Sequence, residues 1–358
     1  MRASIHLSGS ETKPSTTLRV LGVWLDPRLT WGPHVKEVLR KMETQTNALL
    51  RTTTSTWGAT FTRARHIYNA VVRPAIAYGA AIWHAPTQAE GAGSRGRVGK
   101  PTGPVTKLLK VQNKCLRSVS GAYKATPTSI LEVETATPPL DLYLNERVAS
   151  FRRRQQTTGM QELISRACAQ VRRKLARRHR GRRRADPTGT EGERRSRWVE
   201  EWKKLGKKPT LEGWKRRWNT ARPKWGIIRV GEPAEDTPEI HVGLRKAESS
   251  ILTQIRTGRI GLAAFLNKAR VPDFPSPKCQ CGQAEETASH IIAYCPRFTA
   301  QRRNLTGPSG HMDVRTLAGT VKGVKRLARW FLGLRILPQF RLAEELLREE
   351  VGEVRGRE

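Results

Sequence analysis

Four residues of this chain are spaced to hold a metal ion. Cys279, Cys281, His290 and Cys295 follow the pattern Cys-x-Cys, eight residues, His, four residues, Cys. Thiolate and imidazole are the ligands zinc prefers, and four protein ligands close a tetrahedral site with no position left for a reacting water. The pattern therefore points to a structural Zn2+, whose binding is coupled to local folding. The alternative reading is a small core with a buried histidine and redox-silent thiols. Cys115 and Cys168 stand alone and read as buried, inert thiols. Five cysteines spread this unevenly do not make a secreted disulfide framework and suit a reducing compartment.

The ligands must be positioned by a turn and a short helix. Cys279-Gln280-Cys281-Gly282 can turn tightly, with Gly282 free to take a positive φ. Residues 285–294 read as a helix that Pro296 stops. Five residues is about 500° of an α-helix, so His290 and Cys295 fall off a common face. One of them must then lie on a frayed last turn. Elsewhere the hydrophobic pattern predicts mainly α structure after a short buried strand at 18–25 and a turn at Asp26-Pro27. Helices are expected from Pro33, from Thr60 with a kink at Arg73-Pro74, over 105–119, over 140–151, and over 321–350 with a bend at Leu337-Pro338. Residues 88–103, rich in Gly, Ser, Arg and Pro, read as a loose loop.

Charge decides the kind of partner. The chain carries +35 over 358 residues, and only 37% of residues are apolar. Such a chain repels itself unless a polyanion is present. Residues 151–225 hold much of the excess. Arg172, Arg173, Lys174, Arg177, Arg178, Arg180, Arg182, Arg183 and Arg184 crowd together, and Lys203, Lys204, Lys215, Arg216 and Arg217 follow. Phosphates would relieve the repulsion and release counterions, so RNA or DNA is the expected partner. The same run reads as a nuclear-import signal, which points to an intracellular, nuclear protein. Trp198 and Trp202, then Trp214 and Trp218, are paired at i, i+4 among these cations. Their indoles could stack bases. The competing reading is that they pack short helices together, because large apolar rings favour burial. No signal peptide is legible at the N-terminus, and no apolar run approaches the ~20 residues that span a bilayer. Neither a membrane nor a small-molecule substrate is expected.

Several strings, taken in order, resemble one family. Leu21-Gly22-Val23-Trp24-Leu25-Asp26 with Leu29-Thr30-Trp31 and His34 looks like the primer-grip strand and turn of non-LTR (LINE-type) retrotransposon reverse transcriptases. The stretch 71–83, containing Val72-Arg73-Pro74, Tyr78-Gly79 and Trp83, looks like their thumb region, and Gln112-Asn113 with Leu116-Arg117 like the helix that follows. Thr253-Gln254-Ile255-Arg256-Thr257-Gly258 and the Cys/His cluster look like the C-terminal zinc knuckle of fungal members. The resemblance covers about residues 15–150 and 245–305. It implies a short N-terminal strand or hairpin, a thumb-like helical bundle, a basic helical or disordered linker, a small zinc-knuckle domain and C-terminal helices. The corresponding blocks are 1–30, 31–150, 151–225, 226–310 and 311–358.

The family name implies an RNA-directed DNA polymerase, which needs palm carboxylates to hold two metal ions. The six aspartates here (26, 141, 186, 236, 273, 313) are scattered, and no Asp-Asp pair occurs. Residues 151–245 show no carboxylate cluster suited to RNase H chemistry. The expectation is a truncated, non-enzymatic element that binds RNA or an RNA/DNA duplex. Two other readings stand beside it. One is a zinc-stabilised protein–protein adaptor that recruits a partner through the C-terminal helices. The other is part of an active polymerase whose palm lies upstream.

Overall fold

The computed structural model describes residues 5–7, 10–12, 15–84, 104–157, 209–221, 231–235, 238–306, 317, 320–341, 343 and 345. They are mostly helical, with short antiparallel hairpins at the N-terminal end. Contacts divide the chain into two units interleaved in sequence. The first comprises Met1–Gln45, Val72–Leu109 and Leu140–Thr210; the second comprises Thr46–Val71, Lys110–Pro139 and Leu211–Glu358. Among the described residues no helix is long and apolar enough to cross a membrane.

In the first unit, β1 (Ile5–Leu7) pairs with β2 (Ser10–Thr12), and β3 (Leu18–Val20) with β4 (Val23–Leu25). The expected buried strand at 18–25 is therefore a hairpin. Leu21 and Gly22 form its two-residue turn with φ of 47° and 81°, the positive pair that suits a right-twisted ribbon. Of the paired residues only Val23 is buried, and Leu21 is 88% exposed. Apolarity alone predicted burial; a two-stranded hairpin leaves Leu18, Val20 and Leu21 in solvent. The Tyr78 hydroxyl donates to the Leu21 carbonyl at 2.7 Å, and a Cβ at Gly79 would come within 3.0 Å of Val23. The two strings of the resemblance that lie at 21–26 and 78–83 thus touch. Asp26 closes the turn after the hairpin by accepting from the Thr30 and Trp31 amides at 3.0 and 2.9 Å.

Helix α1 (Gly32–Thr52) follows, then α2 (Phe61–Ile67), which Thr60 caps. A π turn, Tyr68–Val72, leads into α3 (Arg73–Ile76). Pro74 has no amide to donate, so the kink foreseen there takes the form of a widened turn before it. Gly79 then breaks the chain at φ 65° ahead of α4 (Ala80–Trp83). Helices α5 (Pro104–Ser120) and α7 (Leu140–Thr157) fall where the pattern placed them, the latter longer by two turns. Residues 88–103 lie outside the described residues. Helices α6 (Thr128–Glu134) and α9 (Lys246–Thr257), the latter after α8 (Pro209–Ala221), are among those that the pattern did not foresee.

The core of the second unit explains α9. All twelve of its residues are buried. Ala247, Ile251, Leu252 and Ile255 join Ile291, Ile292, Phe298, Leu327, Phe331 and Phe340 in one apolar cluster. Several of its polar side chains bond outside the helix. Lys246 Nζ donates to the Ser118 and Val119 carbonyls at 2.7 Å each, which caps the end of α5, and Gln254 Nε2 donates to Gly121 O at 3.0 Å. The approach is close enough to require a glycine. A Cβ on Gly121, whose φ is 67°, would lie 1.9 Å from Ser250 Oγ and 3.0 Å from its Cα. Gly121→Ala is expected to destabilise the chain by about 2–4 kcal/mol, combining overpacking with a left-handed backbone. Urea unfolding would measure it, and Ser250→Gly in the same chain should recover part of the loss.

Helices α10 (Ala263–Lys268), α11 (Thr299–Thr306) and α12 (Val321–Gly333) complete the unit. The helix or two expected over 321–350 breaks after Gly333. Arg335 takes φ 57°, a 3-10 turn, Pro338–Phe340, follows, and Arg341, Ala343 and Glu345 are again helical.

Candidate metal centre

Between α10 and α11 the chain folds into a small hairpin and one turn of helix. Lys278 and Glu285 form an isolated antiparallel bridge, with Cys279 N donating to Ala284 O at 2.8 Å and Glu286 N to Pro277 O at 2.8 Å. Gly282 N donates to Cys279 O at 2.9 Å, and Gly282 has φ 78°, the positive value anticipated for the tight turn. Cys279 and Cys281 therefore sit on the two sides of a turn whose shape is fixed by its own backbone.

The helical half differs from the expectation. Glu285 lies in the bridge, and the continuous segment is a π turn, His290–Tyr294. Cys295 N donates to His290 O at 2.8 Å, an i→i+5 bond. A π turn places residues five apart over one another, where an α-helix would separate them. The His-x4-Cys spacing is met by a widened turn, and no frayed end is needed. Pro296 opens the 3-10 turn Pro296–Phe298 immediately after it.

The four ligand atoms converge. One atom from each of Cys279, Cys281, His290 and Cys295 lies within 4.8 Å of all the others. Cys279 Sγ and Cys295 Sγ are 3.7 Å apart, and Cys281 Sγ and His290 Nε2 are 3.2 Å apart. The group can hold a metal ion. Cys279, His290 and Cys295 are buried, while Cys281 is partly open to solvent. The Gln283 amide and the His290 ring hold the Cys281 thiol down at about 6. Burial pushes the Cys295 thiol up to about 11. A metal ion needs all three as thiolates, so binding releases protons, chiefly from the buried side.

Residues that the spacing did not reveal position this site. The Glu286 carboxylate accepts from Ala263 N at 2.9 Å at the start of α10. Thr287 Oγ1 accepts from His290 N at 3.2 Å. Arg302 on α11 donates to Ile291 O at 3.2 Å. Each joins segments distant in sequence or bonds to backbone, and neither leaves a signature in residue spacing.

The other residues singled out from the sequence do not gather at this centre. Arg172, Arg173, Lys174, Arg177, Arg178, Arg180, Arg182, Arg183, Arg184, Lys203, Lys204, Trp198 and Trp202 lie outside the described residues. Lys215, Arg216 and Arg217 are on α8, with Arg216 exposed and the other two half-buried. Trp214 and Trp218 on the same helix are 1% and 7% exposed, so neither offers an indole face to a base. The i, i+4 spacing that suggested stacking is here the buried face of an amphipathic helix. Cys115 is buried beside Thr46 Oγ1 at 3.2 Å, and burial raises its thiol to about 11. Compared with family models, with curated proteins and with solved structures, the chain matches none.

Proposed function

We propose that this chain binds nucleic acid, RNA or an RNA/DNA duplex, through a cationic helical scaffold whose distal part is pinned by a structural zinc ion. The donor set supports zinc. Arms of about 2.3 Å to sulfur put two thiolates about 3.8 Å apart in a regular tetrahedron, and arms of about 2.3 and 2.0 Å put sulfur and nitrogen about 3.5 Å apart. The distances between the ligand atoms, 3.7 and 3.2 Å, are close to both. Three thiolates and an imidazole favour zinc over harder divalent ions. Zn2+ would be held by Cys279, Cys281, His290 and Cys295, and its role would be to fold the hairpin and the π turn.

One observation carries the nucleic-acid reading. Within the second unit, residues 46–71 and 110–131 contain no Asp or Glu, and they contain seven Lys and Arg residues. Arg51, Arg63, Lys110, Lys114 and Lys124 among them are exposed. Exposed cations on stretches of chain that carry no carboxylate suit a polyanion and cost self-repulsion otherwise. The resemblance to the thumb and knuckle of non-LTR reverse transcriptases agrees with this use. The residues at hand supply no polymerase or RNase H carboxylates, so the proposed role is binding.

The test is the salt dependence of affinity. Binding of the full chain to RNA should weaken linearly in a log–log plot against salt. Replacing Lys110, Lys114 and Lys124 by alanine should flatten the slope by about 2 on a single strand, at about 0.7 per phosphate contact. Affinity that ignores salt, or a slope the triple variant leaves unchanged, would overturn the proposal.

A further inference from the structure

The loop between α1 and α2 is the most tightly built exposed turn in the described residues. Thr53 and Gly58 bridge its base, and Ala59 N donates to Thr52 O at 2.8 Å. The Thr54 hydroxyl lies inside it, accepting from the Thr56 and Trp57 amides at 3.3 and 3.2 Å and donating to Trp57 O at 3.2 Å. Ser118 on α5 donates to Thr53 O at 3.0 Å and ties the loop down. Gly58 takes φ 98°, and a Cβ there would meet Thr52 O at 2.3 Å. This backbone is fixed by its own hydrogen bonds, and the side chain it presents is Trp57, 49% exposed.

A large indole carried half in solvent on an ordered turn needs little further ordering of its backbone when a partner arrives. Its surroundings say what the partner is. Arg51 at the end of α1 and Arg63 on α2 are exposed on either side in sequence. Lys114 is exposed one turn before Ser118. No carboxylate occurs between residues 44 and 84. A strand whose flat bases alternate with phosphates matches an indole flanked by cations, the bases on the ring and the phosphates on Arg and Lys. The Ser55 and Thr56 hydroxyls at the tip add partners for a 2′-hydroxyl.

We propose that Trp57 is a stacking platform for an unpaired base of single-stranded RNA, with Arg51, Arg63 and Lys114 holding the flanking phosphates. This rests on the nucleic-acid reading above and adds a residue to it. The experiment compares the full chain with Trp57→Ala and Trp57→Phe on a uridine oligomer of about 20 nucleotides, on its abasic counterpart and on the matching DNA strand. Trp57→Ala should weaken binding to the uridine strand on the order of tenfold. It should leave the abasic strand and the salt slope unchanged, and Trp57→Phe should keep most of the affinity. The loss on DNA should be smaller. Equal uridine affinity for the wild type and Trp57→Ala would overturn the stacking, and an equal loss on DNA would overturn the choice of RNA. Should Trp57→Ala fail to fold, the wild type decides. Irradiation with a 5-iodouridine strand should cross-link the peptide containing Trp57, and cross-links confined to other peptides would overturn the proposal. A wild type that binds neither the uridine nor the abasic strand would overturn the nucleic-acid reading itself, a result distinct from losing the stack alone.

Discussion

Replacing Cys295 by serine, or adding a strong chelator to the wild type, is expected to release one equivalent of zinc and to unfold more than the knuckle. Apparent binding free energies for structural zinc are about 10–16 kcal/mol, larger than the whole stability of most domains. Backbone pairing alone gives the hairpin and the π turn little support. The bridge at Lys278 and Glu285 is a single pair, and the π turn is five residues long. Sequence spacing alone would confine the damage to residues 275–300. The structure extends it. Ile291 and Ile292 on the π turn are wholly buried in the cluster that also holds Ile251, Leu252 and Ile255 of α9 and Leu327 and Phe331 of α12. When the turn that presents the two isoleucines opens, both helices lose a wall of their core.

Hydrogen exchange can follow this segment by segment. Protection should fall first and most over residues 277–298, then over α9 and α12, with the β3–β4 hairpin and α1 before residue 45 unaffected. Exchange over 277–298 that ignores the chelator, with zinc shown to have left, would mean that the apolar core alone folds the knuckle.

How much of this was legible in advance depended on whether the cause was local. The convergence of the four Cys and His residues and the glycine of the turn were readable because residue type and spacing specify them. The boundaries of α5 and the start of α7 followed from apolar periodicity. The π turn was not legible, since a period of 3.6 assumes the turn that His290 and Cys295 avoid. Helix α9 was missed because its sequence, Lys-Ala-Glu-Ser-Ser-Ile-Leu-Thr-Gln-Ile-Arg-Thr, looks half-solvated. Lys246, Gln254 and Arg256 bond to the ends of α5 and α6, more than a hundred residues away. Leu18, Val20 and Leu21 misled in the opposite direction, as apolar residues on a hairpin left exposed.

The polar centre behind α9 gives the second large effect. Glu134 ends α6 with no solvent exposure of its side chain. Its carboxylate accepts from Arg256 Nε at 2.9 and 3.0 Å, from His241 Nε2 at 3.2 Å and from Thr253 Oγ1 at 3.4 Å. His241 lies flat on Phe61, with 3.8 Å between ring centroids. Burial lowers the imidazole, so near neutrality it is uncharged and donates its Nε2 proton to Glu134. Arg256 is then the paired counter-charge of Glu134, and Lys246, which burial lowers to about 7, is a further cation acting on the imidazole. Burial alone would raise the Glu134 carboxyl, but Arg256, followed by His241, outweighs it and holds the group at about 2. A depressed carboxyl stabilises the fold fully above its unfolded value of 4.5, and the contribution is lost as pH falls through about 2. A depressed imidazole acts earlier, its contribution falling away below 6.5. Acid should therefore erode stability in two stages.

Glu134→Gln keeps the shape, removes the lower stage and leaves Arg256 as a buried charge without its counterion. Breaking one side of such a pair costs about 3–5 kcal/mol. Urea unfolding near neutrality should register that loss, and the variant should show a flatter stability profile between pH 4.5 and 2 than the wild type. The companion change Arg256→Met separates two origins of the loss. If the cost is the orphaned cation, Glu134→Gln with Arg256→Met should recover most of it, because an apolar replacement of a buried pair is often near neutral. If the cost is the broken hydrogen bonds to His241 and Thr253, the double variant should stay as weak as the single one. The first outcome is expected, since two of the four bonds to the carboxylate come from Arg256 and these are the shortest.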